Sequence, residues 1–183
     1  TVEIGAAGNL TISAAETATN GTIKMDGGTL TDAASLTLTS PASLTGLGTV
    51  SASTALSGTG IVKASGGTLD LLGSVASGIV LQIDTTAGST LKIDGTATAA
   101  AAITLNNANQ TLEIGASGSL TINGAQSASA GTIKMDGGTL TDSGGVTLTT
   151  PALLSGLGNI SANTALSGTG TVKASGGTLD LQG

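Results

Sequence analysis

A twelve-residue stretch, GTIKMDGGTLTD, occupies residues 21–32 and returns unchanged at residues 131–142. Aligning residues 1–73 with residues 111–183 at this offset needs no gap, and 52 of the 73 aligned positions are identical. Self-similarity at a fixed offset is typical of repeat architectures. We therefore expect a slice of a longer array, in which residues 1–110 form a first repeat unit, residues 111–183 form a partial second unit, and both belong to one continuous solenoid.

Composition limits the kind of core that this chain can build. It has no aromatic residue, no cysteine and no histidine, and 30 of its 183 residues are glycine. Ordinary globular cores depend on large aromatic and aliphatic side chains. Aliphatic residues are nevertheless plentiful and regularly spaced, and only 9% of residues are charged, which argues against disorder. These features favour a thin structure made of many short strands.

The local pattern is one of strands and turns. Val2 and Ile4 alternate with polar residues, as do Ile23 and Met25, and this period of two predicts half-buried strands. Glycines between the strands supply turns. The alanine run at residues 99–102 is too short to nucleate a helix. The predicted fold class is therefore all-β.

One motif recurs in these strands: a threonine, an aliphatic residue, a charged residue and another aliphatic residue. Its charged members are Glu3, Lys24, Asp70, Lys92, Glu113, Lys134 and Asp180. Their separations are 21, 46, 22, 21, 21 and 46 residues. If each of the two longer intervals contains two coils, one repeat unit contains five coils with an average length of about 22 residues, which is the length of one turn of a parallel β-solenoid.

In a parallel β-solenoid, residues one coil apart lie side by side at a strand spacing of about 4.8 Å. The seven charged residues then form one outward column in which opposite charges alternate, with an uncharged coil between Lys24 and Asp70 that presents Thr45 or Ser51. Opposite charges at this spacing stabilise the stack slightly, whereas like charges repel. The alternative explanation is chance alternation among five lysines and eleven acidic residues.

The stretch GGTLTD, at residues 27–32 and again at 137–142, is close to the GGxGxD repeat of calcium-binding β-rolls. Its candidate calcium ligands are Asp26, Asp32, Asp136 and Asp142. The fourth position argues against calcium, because Leu30 and Leu140 stand where that repeat has a glycine. Two carboxylates without a third ligand also make a weak calcium site, so we favour an ordinary turn followed by a strand.

Several functional classes lose support from composition. Histidine, arginine and aromatic residues are absent, so most groups used in acid–base catalysis and in sugar-binding grooves are missing, and neither an enzyme nor a cofactor is expected. A net charge of −6 and five scattered lysines disfavour nucleic acid as a partner. Apolar runs are too short to span a bilayer, so we expect no membrane insertion by this segment.

The glycine–threonine–aliphatic rhythm of residues 35–50, SLTLTSPASLTGLGTV, and residues 58–73, GTGIVKASGGTLDLLG, resembles the β-strand repeat regions of large exported bacterial surface proteins. These include autotransporter passengers, filamentous-haemagglutinin-like proteins and giant adhesins. The resemblance implies a right-handed β-helix, an extracellular or cell-surface location, and a structural or adhesive role as a stalk or fibre-forming unit. It supplies no catalytic or binding residue.

Two further expectations follow. The partners of each coil are the neighbouring repeats of the same chain, and exposed ends or sides of such a rod favour head-to-tail or lateral self-association. Alternatively, the segment is a binding module, in which one solenoid face recognises a glycan, ice or a partner protein. Threonines 37 and 39 beside threonines 147 and 149 are the candidate ice-binding rank, although threonine is common in exposed strands for its β-propensity alone.

Overall fold

The computed structural model describes residues 1–161 and 163–183, in which every regular element is a β-strand. The strands, in chain order, are β1 (Val2–Ile4), β2 (Asn9–Ile12), β3 (Glu16–Ala18), β4 (Thr22–Asp32), β5 (Leu36–Leu38), β6 (Ser43–Val50), β7 (Leu56–Gly58), β8 (Ile61–Leu71), β9 (Ser74–Val75), β10 (Val80–Ile83), β11 (Ser89–Ile93), β12 (Thr96–Ala99), β13 (Gln110–Ile114), β14 (Ser119–Ile122), β15 (Gln126–Ala128), β16 (Thr132–Asp142), β17 (Val146–Leu148), β18 (Leu153–Ile160), β19 (Leu166–Gly168) and β20 (Thr171–Leu181).

Each strand pairs in parallel with strands about one coil away, which confirms the predicted parallel β-solenoid. It has about nine turns with a spacing of about 21 residues, slightly shorter than the predicted average. At about 4.8 Å per rung, nine rungs form a rod roughly 40 Å long. Each turn passes through three faces, which we call A, B and C in the order in which the chain meets them.

Face A contains β1, the first parts of β4, β6 and β8, then β10, residues 103–105, β15, β17 and β19. Face B contains β2, the second parts of β4, β6 and β8, then β11, β13 and the first parts of β16, β18 and β20. Face C contains β3, β5, β7, β9, β12, β14 and the second parts of β16, β18 and β20.

The core consists of columns of aliphatic side chains, because alternate residues of every strand point inward. The inward column of face B shows the pattern: its central members Leu71, Ile93 and Ile114 lie on consecutive rungs, and each is fully buried. Short aliphatic side chains suffice because three faces close around a narrow interior. Ile23 and Met25, which were predicted to alternate with polar residues, are buried, and so is Leu30.

Glycine is required where a coil bends between two faces. In β4 the strand register shifts between Asp26 and Thr29, and the bend passes through Gly27, whose φ is +100°. Gly46 has a different role: it lies on the rung beside Met25 with a φ of +120°, and a Cβ there would come within 1.9 Å of the Met25 carbonyl oxygen. The Met25 backbone therefore occupies the space that a side chain at position 46 would need.

The repeat unit is not a whole number of turns. Glu3 lies on face A beside Lys24, whereas Glu113, the equivalent residue of the second unit, lies on face B beside Lys92. Following the strand pairings upward, the unit advances by five complete turns and one further face, or five and one third turns. The predicted count of five coils is therefore corrected, and equivalent residues of the two units point in different directions.

Candidate functional site

Face B carries a ladder of alternating charges. Asp70, Lys92, Glu113 and Lys134 occupy the same position on four consecutive rungs. Lys92 Nζ lies 3.7 Å from Asp70 Oδ2, and Lys134 Nζ lies 3.1 Å from Glu113 Oε1. We call these four residues the face B charge ladder.

The other three charged residues of the predicted column lie elsewhere. Glu3 and Lys24 pair on face A, with 3.1 Å between Oε1 and Nζ, and Asp180 lies on face C beside Asn159. The two longer intervals in the motif explain the difference, because each spans two turns and one additional face rather than two coils. Thr45 is the uncharged neighbour of Lys24, which decides between the two predicted candidates.

Lys92 is the centre of the densest charge cluster. Its ammonium contacts Asp70 and also hydrogen-bonds to Asp94, on the same coil. The hydrogen bond to Asp94 is the main cause that raises the pKa of Lys92. Burial raises the pKa of Asp70 despite the nearby ammonium, and Asp70 Oδ1 is buried without a hydrogen-bond partner.

A further ion pair, between Lys63 and Asp84, lies on face A at its corner with face B. Asp84 accepts hydrogen bonds from the hydroxyls of Ser65 and Thr86 and from the Thr85 backbone, and its Oδ1 lies 3.1 Å from Lys63 Nζ. The Ser65 hydroxyl is the main cause that holds the pKa of Asp84 far below its usual range. Such a carboxylate is a poor proton acceptor near neutral pH, so its role at this corner is to hold the loop.

The motif did not predict Lys63, Asp84 and Asp94, because none of them follows a threonine and an aliphatic residue. Lys63 shares the face A column of Glu3 and Lys24, with Thr45 between. Aligning the strand around Leu81 with the preceding aliphatic strand would have placed Gln82 beside Lys63, as the structure does.

The four candidate calcium ligands separate into two exposed and two buried residues. Asp26 and Asp136 are exposed, whereas Asp32 and Asp142 are completely buried. Asp32 Oδ1 accepts the Ala34 backbone N–H at 2.9 Å, and Asp142 Oδ1 accepts that of Gly144 at 2.8 Å. The buried pair thus closes the turn that follows each strand, and within residues 1–161 and 163–183 no group of three acidic side chains is placed to hold a metal ion.

Two buried glutamines tie neighbouring coils together. The side chain of Gln126 hydrogen-bonds to both backbone groups of Ile103, and Gln110 donates to the Ile83 carbonyl at 2.7 Å while it accepts from the Asn106 backbone. Both glutamines are 1% exposed. Their inward position could have been found from the sequence, since Gln110 alternates in phase with the apolar residues of β13.

The predicted threonine rank is divided between faces. Thr37 lies on face C and contacts the Ser57 hydroxyl at 3.0 Å, whereas Thr147 lies on face A and contacts the Ser167 hydroxyl at 3.0 Å. Equivalent residues of the two units cannot stand side by side in this solenoid, because the unit ends one face further round. Hydroxyl pairs exist, but the rank of four does not.

Two of the cavities on the surface bear on function. An apolar cavity of about 370 Å³ lies at the first coil, lined among others by Val2, Leu10 and Ile23. A polar groove of about 240 Å³ lies on face A at the corner with face B, and its lining includes Lys63, Gln82, Asp84 and Asn106. The groove contains residues from 74–110, the part of the unit that occurs once in this chain.

Comparison with profiles of protein families, with curated proteins and with solved structures found no match. Among the described residues there is no helix that is long and apolar enough to cross a membrane.

Proposed function

We propose that this chain is a structural segment of a bacterial cell-surface or extracellular repeat protein, acting as a stiff stalk or a fibre-forming unit. The observation that carries the proposal is the advance of five and one third turns per repeat unit. What persists from unit to unit is the stacked core, whereas each surface feature moves to a new face. A sequence repeated in this way preserves length and stiffness rather than one continuous recognition face.

The contacts along the rod support this role. Aliphatic columns run through all three faces, and the rungs of face B are joined by strand pairing from β2 to β20. Stability in a solenoid comes mainly from contacts between neighbouring coils. An uninterrupted ladder therefore transmits load along the axis through backbone hydrogen bonds, as a stalk or fibre requires.

Two measurements test the proposal. Small-angle X-ray scattering of the dilute chain should give a rod about 40 Å long, and antibodies raised against the chain should label the surface of intact cells of the source organism or fibres released from them. Labelling confined to permeabilised cells would contradict the location, and a compact or expanded scattering profile would contradict the rod.

The second candidate function is a binding module, and the polar groove on face A is the observation that favours it. Gln82 and Asn106 present amides there, next to the paired Lys63 and Asp84. Amides and charged groups in a shallow groove are suited to the hydroxyls of a glycan. A glycan array probed with the chain separates the two candidates. A spacer binds no glycan, whereas a binding module binds a defined glycan, and the Q82A substitution should weaken that binding. Measurement of thermal hysteresis tests the ice-binding version.

A further inference from the structure

We propose that face B is a self-complementary surface through which two copies of the chain pair side by side in antiparallel orientation. The inference rests on the proposed structural role and specifies the partner, a second copy of the same rod. It starts from the face B charge ladder, whose order along the axis is negative, positive, negative, positive for Asp70, Lys92, Glu113 and Lys134.

When four alternating charges are read in the opposite direction, every position carries the opposite sign. Two copies of such a ladder that run antiparallel can therefore pair charge by charge. Let a two-fold axis pass between the rungs of Lys92 and Glu113. Lys92 then faces the partner's Glu113, and Asp70 faces the partner's Lys134. Because a two-fold contact is isologous, each of these pairs occurs twice, giving four attractive contacts from four side chains of each copy.

The same ladder rejects the neighbouring arrangements. Sliding the antiparallel partner by one rung opposes like charges, such as Lys92 and the partner's Lys92. A parallel pair related by a two-fold axis along the rod also opposes each residue to its own copy. Like-charge opposition discriminates strongly between registers even where each attractive contact is weak. A slide of two rungs opposes opposite charges again but keeps only two of the four attractive contacts, so the charges select the antiparallel orientation and favour the register with all four.

The surface beside the ladder permits close approach. A column of threonines stands two residues before the charges, on the same four rungs: Thr68, Thr90, Thr111 and Thr132. In the proposed pair, Thr68 faces the partner's Thr132, and Thr90 faces the partner's Thr111. These side chains are short and of equal size, so two such faces can meet without a protruding group.

The position of the axis gives nearly complete overlap. The ladder occupies rungs four to seven of the nine on face B, so reversal about its midpoint superposes eight rungs. Beyond the ladder, Lys173 on the last rung faces the partner's uncharged Thr29. Eight rungs of five-residue strands cover roughly 600 Å² on each copy, or about 1,200 Å² in total, at the lower limit of specific interfaces.

The charged side chains of the ladder are partly buried and already paired within the chain, so we expect weak association that salt reduces.

The chain provides its own matched control. Lys24 and Lys134 lie in identical twelve-residue stretches, and each pairs with a glutamate at 3.1 Å, but Lys24 lies on face A. K134E places a glutamate opposite the partner's Asp70 at two symmetry-related points and should weaken self-association about tenfold or more in sedimentation velocity. K24E should leave self-association unchanged, and circular dichroism should show that both variants fold.

Cross-linking tests the orientation. The chain has no cysteine, so T68C and T132C each introduce one thiol, and a short bis-maleimide can bridge faces that pack about 10 Å apart. A mixture of the two variants should cross-link efficiently, and either variant alone should not. Absence of self-association at millimolar concentration, equal effects of K24E and K134E, or efficient cross-linking of T68C to itself would each overturn the proposal. The rod-shaped scattering profile of the monomer would survive any of these failures, so the structural role is tested separately.

Discussion

Gln126 holds Ile103 through two hydrogen bonds, since its side-chain Oε1 accepts the Ile103 backbone N–H at 2.8 Å and its Nε2 donates to the Ile103 carbonyl at 2.6 Å. Residues 103–105 belong to face A but form only an isolated bridge, between Leu105 and Ala128, with the coil above. The glutamine amide thus takes the place of the missing strand partner for Ile103.

Q126E should destabilise the chain at neutral pH by about 2 kcal/mol or more, because a carboxylate cannot donate to the Ile103 carbonyl and would be buried next to it. Stability should recover as the pH falls, since a protonated carboxyl group can again donate. Thermal unfolding followed by circular dichroism at pH 7 and pH 4 measures both effects. E16Q changes the equivalent position of the first unit, which is exposed, and should alter stability by less than about 0.5 kcal/mol.

Replacing Gly46 should be far more damaging than replacing Gly88. A Cβ at Gly46 would lie 1.9 Å from the Met25 carbonyl oxygen, and φ at this position is +120°. G46A is therefore expected to cost about 3 kcal/mol or more. A Cβ at Gly88 would meet no atom within 4 Å, so G88A should be nearly neutral in urea unfolding. Similar unfolding midpoints for the two variants would contradict the placement of Gly46 between two coils.

The carboxylate of Asp84 should stabilise the fold over most of the pH range. Its pKa is lowered in the folded state, chiefly by the Ser65 hydroxyl and by Lys63, so its contribution is complete above the unfolded pKa of about 3.9. The contribution is lost as the pH falls through the lower folded-state value. D84N should unfold at a lower temperature than the parent chain at pH 7, and the difference should shrink below about pH 4. If the difference between the unfolding temperatures of the two chains stayed constant as the pH falls, the ionised carboxylate of Asp84 would not be the source of the stabilisation.

The carboxylate of Asp70 should have the opposite effect. Burial raises its pKa in the folded state, so the folded chain binds the proton more tightly than the unfolded chain does. Asp70 therefore lowers stability above its folded-state pKa and ceases to do so as the pH falls below the unfolded value. D70N should raise the midpoint of thermal unfolding at pH 7, with the gain disappearing in acid. Lys92 keeps Asp94 as a partner in this variant. A loss of stability at pH 7 would show that the ion pair with Lys92 outweighs burial.

The fold class and the local roles of many residues follow from the sequence alone. Alternation of Ile23 and Met25 with polar neighbours predicted strands whose apolar side chains point inward, and both are buried. The GGTLTD stretch was predicted to form a turn followed by a strand, and the strand register shifts at its two glycines, Gly27 and Gly28. These features depend on contacts within a few residues, so a periodicity of two and the chemistry of glycine were enough to predict them.

Which residues share a face depends instead on the complete three-dimensional fold. Lys24 and Lys134 have identical sequence neighbours but stand on faces A and B, because coils of unequal length add up to five and one third turns between them. The 46 residues between Lys24 and Asp70 could form two long coils, or two shorter coils plus one further face. The sequence spacing alone does not distinguish these two possibilities. Strand register between coils is set by core packing and corner geometry, which is why the charge ladder on face B emerged from the fold rather than from the spacing.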